Sequence, residues 1–250
     1  MKTNTTSKNA IISIKDLHKS FGTNVVLDGF DLELYEGENL VVMGKSGSGK
    51  SVMIKCLIGL EEADSGSIVI MDKDIGKLTH DELDELRTEI GFLFQGSALY
   101  DSMTIRENLE FPLRRHTKKF GIIKDTTPLV MEALENVGLA HTIDLMPEEL
   151  SGGMKRRIAL ARTLILMPKI ILYDEPTTGL DPITGKEIIL LMQSIQKKYN
   201  TSSIIITHDV DCARAISNRM ILLVDGINYA EGTFKELLAE KDPKIQAFFK

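Results

Sequence analysis

Short apolar segments rich in isoleucine and valine recur along this chain of 250 residues. Helical patterns follow most of these segments, which lie at residues 11–14, 40–43, 68–71, 90–94, 170–173, 203–207 and 219–224. Continuous apolar runs of this length are typical of strands that are buried on both faces. Their alternation with helices predicts an α/β fold whose sheet is largely parallel.

The strand pattern is interrupted in the middle of the chain. Between about residues 97 and 166 the apolar positions recur at helical spacing, at residues 104–111, 127–138 and 152–166. We therefore predict one domain over residues 1–250, with a helical subdomain inserted into an α/β core. The predicted boundaries place the core at residues 11–95 and 167–235, the helical subdomain at 96–166 and a C-terminal tail at 236–250.

A glycine-rich loop follows the apolar run at residues 40–43 without a gap. Residues 44–51 match GxxxxGK[ST] at every fixed position, and a helical pattern follows them. The glycines let successive backbone N–H groups point inward, and the helix start adds its positive end, so the loop suits a polyphosphate. The predicted nucleotide-binding residues of this phosphate loop are Gly44, Lys45, Ser46, Gly47, Ser48, Gly49, Lys50 and Ser51.

Two side chains of the phosphate loop have specific predicted roles. Lys50 should reach the β- and γ-phosphates, and Ser51 should place its hydroxyl on Mg²⁺, because this hard cation prefers oxygen ligands. The alternative interpretation is an accidental glycine-rich turn. The apolar run before the loop and the helical pattern after it favour nucleotide binding.

Two adjacent carboxylic acids, Asp174 and Glu175, end the apolar run at residues 170–173. Side-chain alternation along a strand predicts that they point to opposite sides of the strand end and have different tasks. We predict that Asp174 holds Mg²⁺ through its water shell and that Glu175 orients and deprotonates the water that attacks the γ-phosphate. A pair of solvated acids is the alternative, and the phosphate loop in the same chain favours the catalytic interpretation.

Gln95 and His208 follow two further apolar runs, at residues 90–94 and 203–207. Ligands of parallel sheets gather at the carboxyl ends of the strands, so both side chains are candidates for the same site. Gln95 is predicted to complete the magnesium shell and to respond to bound nucleotide. His208 is predicted to hydrogen-bond the γ-phosphate and Glu175.

Ser151, Gly152 and Gly153 stand at the start of the last helical stretch of the insertion. Ser151 is predicted to be the N-cap of that helix. The exposed N–H groups of the helix start are also a candidate second anion site for a γ-phosphate, which is compatible with capping. Phe21 is a candidate to stack on adenine, although an aromatic residue near a turn is more often part of the core.

Composition and charge exclude several classes of function. The formal net charge of -6 argues against nucleic acid as a partner. Two cysteines far apart in the sequence suit a reducing compartment. Residues 1–9 are polar, and no uninterrupted apolar stretch approaches the 18 or so residues that span a bilayer. The sequence therefore predicts a cytosolic protein, unless another subunit holds it to a membrane.

Taken together, these residues resemble the ATP-binding subunit of ABC transporters over about residues 11–235. The motifs of that family correspond to the Walker A loop at residues 44–51, the Q-loop at Gln95, the signature at 150–154, the Walker B strand at 170–175, the D-loop at 179–182 and the switch histidine at His208. Three positions depart from the commonest family pattern: Phe21 stands for Tyr, Val52 for Thr and Met154 for Gln. None of these departures removes a catalytic group.

The resemblance implies a P-loop NTPase fold with a RecA-like core, a mostly parallel sheet, an antiparallel β subdomain and the inserted helical subdomain. It implies ATP hydrolysis with Mg²⁺ in a homodimer, where each ATP lies between the phosphate loop of one copy and Ser151, Gly152 and Gly153 of the other. Lys50, Gln95, Glu175 and His208 would be catalytic. An integral membrane permease is the implied partner, so the chain would be cytoplasmic and peripheral on the inner face of the cell membrane.

Within the family, the chain most resembles the ATPase of Mla- or Mce-type phospholipid transport systems. The similarity rests on residues 150–154, residues 107–117 and the chain ending with Asp242, Pro243, Phe248 and Phe249. It implies a phospholipid cargo and an Mce-type lipid-binding component. An ABC ATPase for another cargo, such as an amino acid, a metal complex or a lipoprotein, is the alternative, and a soluble non-transport ABC ATPase is a more distant one.

Two surface segments follow from the same resemblance and from the apolar pattern. Residues 96–115 would form a groove for a cytoplasmic helix of the permease, the alternative being that Leu109, Phe111 and Leu113 are core of the helical subdomain. Ile245, Phe248 and Phe249 form an apolar tail that needs a cover, for which a second copy of the chain is a candidate.

Overall fold

The computed structural model describes residues 9–249, apart from the side chains of Lys118 and Phe120. The polar start of the chain therefore lies, except for Asn9, outside the described residues. Within this range the strands are β1 Ala10–Phe21, β2 Asn24–Tyr35, β3 Asn39–Met43, β4 Ser65–Ile70, β5 Lys73–Asp74, β6 Ile90–Leu93, β7 Ile170–Asp174, β8 Ser202–Ile206, β9 Arg219–Val224 and β10 Ile227–Gly232.

The α-helices cover the segments between and after these strands. They are α1 Lys50–Leu57, α2 His80–Arg87, α3 Ile105–Arg115, α4 Thr117–Phe120, α5 Thr127–Asn136, α6 Gly152–Leu164, α7 Pro182–Tyr199, α8 Val210–Ile216, α9 Phe234–Ala239 and α10 Pro243–Gln246. Across residues 9–249, no helix combines the length and the apolar character that crossing a bilayer requires.

The larger of the two sheets has six strands in the order β10-β9-β3-β8-β7-β6. Its neighbouring strands are parallel except for the β9–β10 pair. Every residue of β3 and β8 is buried, because α1 and the smaller sheet pack on one face of the sheet centre and helices α6, α7 and α8 pack on the other. Burial on both faces explains the continuous apolar runs in the sequence. The predicted mostly parallel sheet is confirmed.

The smaller sheet has the order β2-β1-β4-β5 and is antiparallel throughout. The apolar runs at residues 11–14 and 68–71 belong to this sheet, so the expected antiparallel β subdomain is confirmed. The strand β2 was not predicted from the sequence, because buried and exposed residues alternate along most of it and it contains no continuous apolar run. Alternation of this kind is typical of a strand with one solvated face.

The inserted helices α3, α5 and α6 surround an apolar core of their own. This core contains Ile105, Leu109, Leu113, Val130, Leu134 and Ile158. Leu109 and Leu113 are therefore core residues, whereas Phe111 is 36% exposed. Helix α6 also contributes Leu160 and Leu164 to the core beneath the six-stranded sheet, so it joins the helical subdomain to the α/β core. The subdomain boundaries stay predictions.

The C-terminal segment packs on its own domain. Ile245 is buried, and Phe248 and Phe249 lie against the core beneath the six-stranded sheet. The rings of Phe234 and Phe249 meet edge to face, with their centroids 5.4 Å apart. The tail therefore has the cover that its apolar residues require, and helix α9 and the strands beside it provide this cover instead of the suggested second copy.

Candidate active site

The phosphate loop connects the buried strand β3 to helix α1, and its glycines are required by its shape. A Cβ atom on Gly44 would lie 2.3 Å from the Ser48 hydroxyl oxygen and 2.9 Å from the carbonyl oxygen of Leu223. Gly49 has a φ of 102°, and a Cβ atom there would lie 2.8 Å from the carbonyl oxygen of Val26. The loop is therefore held close to neighbouring backbone on two sides, which only glycine permits.

Lys50 is the first residue of α1 and is buried. Its ammonium group donates to the carbonyl oxygens of Gly44, at 2.7 Å, and Lys45, at 3.0 Å, so it lies across the loop. Burial lowers the pKa of Lys50, while the carboxylates of Glu175 and Asp174 act in the opposite direction. The loop thus carries a fixed cation close to the two acids.

A cavity of 370 Å³ opens beside the loop, at the carboxyl ends of the parallel strands. It is lined by residues from four separate segments, namely Ser46, Gly47, Lys50, Ser51, Gln95, Asp174, Glu175, Ile206 and His208. The structure therefore brings the predicted phosphate, magnesium and catalytic residues of one chain to one place. Lys45 and Ser48 line a second cavity of 610 Å³, which shares Ser46 and Gly47 with the first. Val26 and the tail residue Phe248 also line this second cavity.

The predicted orientation of the two acids is wrong. Strand β7 ends at Asp174, and Glu175 has a φ of 50°, in the left-handed region. The alternation of side chains stops at that residue, so both carboxylates line the same cavity instead of opposite sides of the strand end. Burial and the nearby charge of Glu175 raise the pKa of Asp174, against the opposing effect of Lys50 and Arg156.

The carboxylate of Glu175 has two side-chain partners at the same oxygen. His208 lies with Nδ1 2.9 Å from Glu175 Oε2, and the hydroxyl of Thr178 donates to that oxygen at 3.0 Å. The Glu175 side chain is 13% exposed and that of His208 is 65% exposed. The contact between His208 and Glu175 is the one predicted from the sequence. Thr178 was not predicted as a site residue, because a threonine after a strand end has no distinctive sequence pattern.

Arg156, a second residue without a sequence-based role, contacts the backbone of two segments that adjoin the cavity-lining residues Gln95 and Glu175. It is buried, and its Nη1 donates to the carbonyl oxygen of Phe94 at 2.7 Å, next to Gln95. Its Nη2 donates to the carbonyl oxygen of Thr178 at 3.4 Å. Burial lowers the pKa of Arg156. The only sequence signal was its place after Ser151 at the start of a helix, where a basic residue more often faces solvent.

Ser151 is the N-cap of α6, as predicted, and its hydroxyl oxygen accepts from the N–H of Met154 at 3.2 Å. Ser151 and Gly152 are exposed, and a Cβ atom on Gly152 would meet nothing within 4 Å. Gly153 lies against the methyl group of Thr184. None of these three residues lines either cavity beside the phosphate loop. Within one chain, therefore, the helix start at Ser151 and the phosphate loop do not line a common cavity.

Phe21 ends strand β1 and is 47% exposed, so the alternative that it is a core residue is wrong. The ammonium group of Lys19 lies 5.1 Å from the centroid of its ring. In the sheet Phe21 pairs with Asn24, which lines the second cavity, but Phe21 itself is not among the lining residues. Its role in stacking on adenine stays a prediction.

The residues present fit a magnesium nucleotide. The phosphate loop approaches backbone so closely that a Cβ atom would fill its cradle, and the buried Ser48 hydroxyl has no hydrogen-bond partner. Among residues 9–249 no group of three or more His, Cys, Asp and Glu side chains is arranged to hold a metal by itself. Mg²⁺ would thus share ligands between phosphate oxygens and Ser51, Gln95 and Asp174. It would neutralise charge on the transferring phosphate.

This fold and this loop define a P-loop nucleoside triphosphatase. The model of the family described as ABC transporter matches residues 27–178, more than half of the chain. The chain belongs to the ABC transporter family, as its ATP-hydrolysing component, and it binds ATP with Mg²⁺. The inferred family resemblance and the ATPase activity are confirmed.

Three relatives show what the chain is similar to. It is 40% identical to the methionine import ATP-binding protein MetN of Clostridium tetani, over 94% of this chain and 73% of that protein. It is 40% identical to the probable ribonucleotide transport ATP-binding protein mkl of Mycobacterium leprae, over 95% of this chain and 68% of that protein. It is 37% identical to the intermembrane phospholipid transport system ATP-binding protein MlaF of Haemophilus influenzae, over 96% and 90%.

Solved structures agree with this family. The dimeric post-hydrolysis state of the ATP-binding cassette MJ0796 with ADP and Pi is 33% identical and has a TM-score of 0.80, covering 89% of this chain and 98% of that one. The protein cbiO1 from Clostridium perfringens, part of an ABC transporter complex, is 28% identical and has a TM-score of 0.85, covering 97% and 96%. The P-loop NTPase fold is confirmed.

Proposed function

We propose that this ATPase energises phospholipid transport of the Mla type, through a membrane permease and together with an Mce-type lipid-binding component. The observation that supports this cargo is the similarity to MlaF over 241 residues, 96% of this chain. The sequence features at residues 107–117 and 150–154 point the same way.

Import of an amino acid is the second candidate. The MetN relatives of Clostridium tetani and Campylobacter jejuni are 40% and 36% identical, so identity does not separate a methionine cargo from a phospholipid cargo. The physical reason is that the ATPase contacts the permease and the nucleotide, and the cargo acts on neither surface directly.

Within the cavity we assign roles to the residues that the fold brings together. Lys50 binds the β- and γ-phosphates, and Ser51, Asp174 and Gln95 serve the magnesium ion. Glu175 accepts a proton from the attacking water, and its cavity position beside Lys50 supports this. His208 holds Glu175 and reaches the γ-phosphate, supported by the 2.9 Å contact between Nδ1 and Oε2.

A head-to-tail homodimer would complete each site. Ser151, Gly152 and Gly153 do not line the cavities beside the phosphate loop of their own chain. A related cassette of 33% identity is dimeric in its structure with ADP and Pi. The helix start at Ser151 would therefore face the γ-phosphate bound by the other copy.

The composite site can be tested by mixing two inactive variants. Lys50→Met removes the phosphate lysine, and Ser151→Arg blocks the exposed helix start. A mixed dimer has one intact site, so equal mixing should restore about a quarter of the wild-type ATPase rate, given random pairing of head-to-tail dimers. A mixture that stays as inactive as either variant would contradict the shared site.

The permease surface is proposed to lie beside the Q-loop and to hold the chain at the inner face of the cell membrane. Phe94, Tyr100 and Phe111 are 43%, 43% and 36% exposed in this part of the molecule. The rings of Tyr100 and Phe111 lie 5.0 Å apart, so they offer one contiguous aromatic surface. Partly exposed aromatic residues are common at protein interfaces.

The cargo is tested with the intact complex in proteoliposomes. The permease that co-purifies with the full chain is reconstituted, and ATP-dependent movement is measured for a fluorescent phospholipid and for radiolabelled methionine. We expect phospholipid movement that Glu175→Gln abolishes, and no methionine uptake. ATP-dependent methionine uptake without lipid movement would replace the phospholipid assignment with the second candidate.

A further inference from the structure

The environment of Arg156 is unusual for a charged residue. Its side chain is buried, and its Nε has no hydrogen-bond partner. Placing a guanidinium group away from water is costly, and an unpaired buried donor adds to that cost. In many proteins an apolar side chain of similar volume is as stable or more stable in such a place. Stability of the core is therefore a poor explanation for an arginine at this position.

The two carbonyl groups that Arg156 does bind belong to two segments of the active site. Phe94 directly precedes Gln95, and Thr178 follows Glu175 by three residues. Arg156 itself lies in the second turn of α6, five residues after Ser151. One side chain thus connects the helix that begins at Ser151 with the loops that carry Gln95 and Glu175.

The connection continues to the reacting carboxylate through Thr178. The Thr178 hydroxyl donates to Glu175 Oε2 at 3.0 Å, and Nδ1 of His208 reaches the same oxygen. Two partners at Oε2 fix the plane of the carboxylate. The contacts that the described residues make with this carboxylate are at Oε2, which leaves Oε1 available to accept a proton in the proposed role of Glu175.

We propose that Arg156 and Thr178 are positioning residues for ATP hydrolysis. Arg156 holds the backbone at Phe94 and Thr178, and the Thr178 hydroxyl holds Glu175 in its reactive orientation. The inference rests on the proposed role of Glu175 as the base. Movement of α6, whose start faces the second nucleotide of the dimer in the proposed arrangement, reaches Gln95 and Glu175 through this link.

The first test separates the Thr178 hydroxyl from the bulk of its side chain. Thr178→Val should lower kcat of the full-length protein about 10-fold or more, the rate equivalent of one hydrogen bond to a charged group. The dissociation constant of ATP, measured without turnover, should stay within about two-fold, because Lys50 and the loop are unchanged. Thr178→Ser should restore kcat, since it keeps the hydroxyl.

A double variant distinguishes positioning from general disturbance. In the Glu175→Gln background, Thr178→Val should lower the residual rate less than about two-fold, because the group it positions is already absent. Thr142→Val is the matched control, since the buried Thr142 hydroxyl donates to the backbone carbonyl of Leu139 in the helical subdomain and not to the site. It should behave as wild type.

Arg156 is tested by comparing stability with rate. Arg156→Met should change the melting temperature little, because the loss of its hydrogen bonds is offset by removal of a buried charge. The kcat of Arg156→Met should fall about 10-fold with ATP affinity retained. The kcat of Arg156→Lys should lie between that of Arg156→Met and that of the wild type. Arg87→Met, which removes hydrogen bonds to the carbonyl oxygens of Ile58 and Gly59, residues that line neither cavity beside the phosphate loop, serves as the control.

The outcomes separate this inference from the function on which it rests. If Glu175→Gln hydrolyses ATP as fast as wild type, the assignment of the base is wrong. If Glu175→Gln is inactive while Thr178→Val and Arg156→Met keep wild-type kcat, the positioning link alone is overturned. Equal losses from Thr178→Val in both backgrounds, or a fall in kcat for Arg156→Met that only follows its loss of stability, would overturn it as well.

Discussion

Replacement of Gly49 by alanine should destabilise the protein by an amount that the loop geometry sets. The residue has a φ of 102°, which costs a residue with a Cβ atom about 1–2 kcal/mol. The added Cβ would also lie 2.8 Å from the carbonyl oxygen of Val26 and 3.2 Å from the side chain of Leu27. Overpacking of this kind costs about 1–3 kcal/mol, so the sum is about 2–5 kcal/mol.

Two other glycines provide a graded comparison. Gly47 has a φ of 79°, but a Cβ atom there would meet nothing within 4 Å, so Gly47→Ala has only the backbone cost of about 1–2 kcal/mol. Gly152 has neither a positive φ nor a neighbour within 4 Å, so Gly152→Ala should be nearly neutral. Each of the three variants adds one methyl group to the wild-type protein.

The assay is thermal unfolding without nucleotide, followed by circular dichroism. For a chain of this length 1 kcal/mol corresponds to a shift of roughly 2–4 °C, so Gly49→Ala should melt roughly 4–20 °C and Gly47→Ala roughly 2–8 °C below wild type. If Gly49→Ala melts at the same temperature as Gly152→Ala, the conclusion that the loop is strained and closely packed at Gly49 is wrong.

Two further predictions concern residues at the edge of the site. Burial and Glu175 raise the pKa of Asp174 above 3.8, so its charge destabilises the nucleotide-free fold at neutral pH, and this penalty is lost as the pH falls through the raised pKa. Asp174→Asn should therefore melt a few degrees above wild type near pH 7, and the difference should shrink toward pH 4; a lower melting temperature at pH 7 would contradict this. Ser151→Ala removes the N-cap of α6 and should lower the melting temperature by roughly 2–4 °C, equivalent to about 1 kcal/mol, whereas Ser151→Asp should preserve it. Equal melting temperatures for the alanine and aspartate variants would show that the cap contributes nothing.

Much of the candidate site could be predicted from residues that are close together in the sequence. The match at residues 44–51 specified a phosphate loop because glycine, lysine and serine are needed at fixed spacing, and the structure places that loop between β3 and α1. The N-cap at Ser151 followed from the residues next to it for the same reason. The strand β2 was missed because its alternating pattern resembles an exposed segment until it is paired in a sheet.

Residues that act across long distances in the sequence needed the fold. Arg156 lies 62 residues from Phe94 and 22 from Thr178, and an arginine after a helix start has no pattern that indicates burial. The direction of Glu175 depended on a single φ angle at the end of β7, where the strand geometry assumed for the sequence no longer applies.

The sequence by itself determined that this protein binds a polyphosphate, that its core is a sheet buried by helices, and that it belongs with the ATPases of ABC transporters. The phosphate loop and the strands follow from residues near each other in the chain, whose preferences act over one turn or one strand. The family resemblance depends in addition on the order and spacing of such local motifs from residue 44 to residue 208. Only the tertiary structure decided that both acids enter one cavity, that the tail is covered by its own domain, and that Arg156 connects three segments. Such contacts depend on how distant elements pack, which is decided by the whole core.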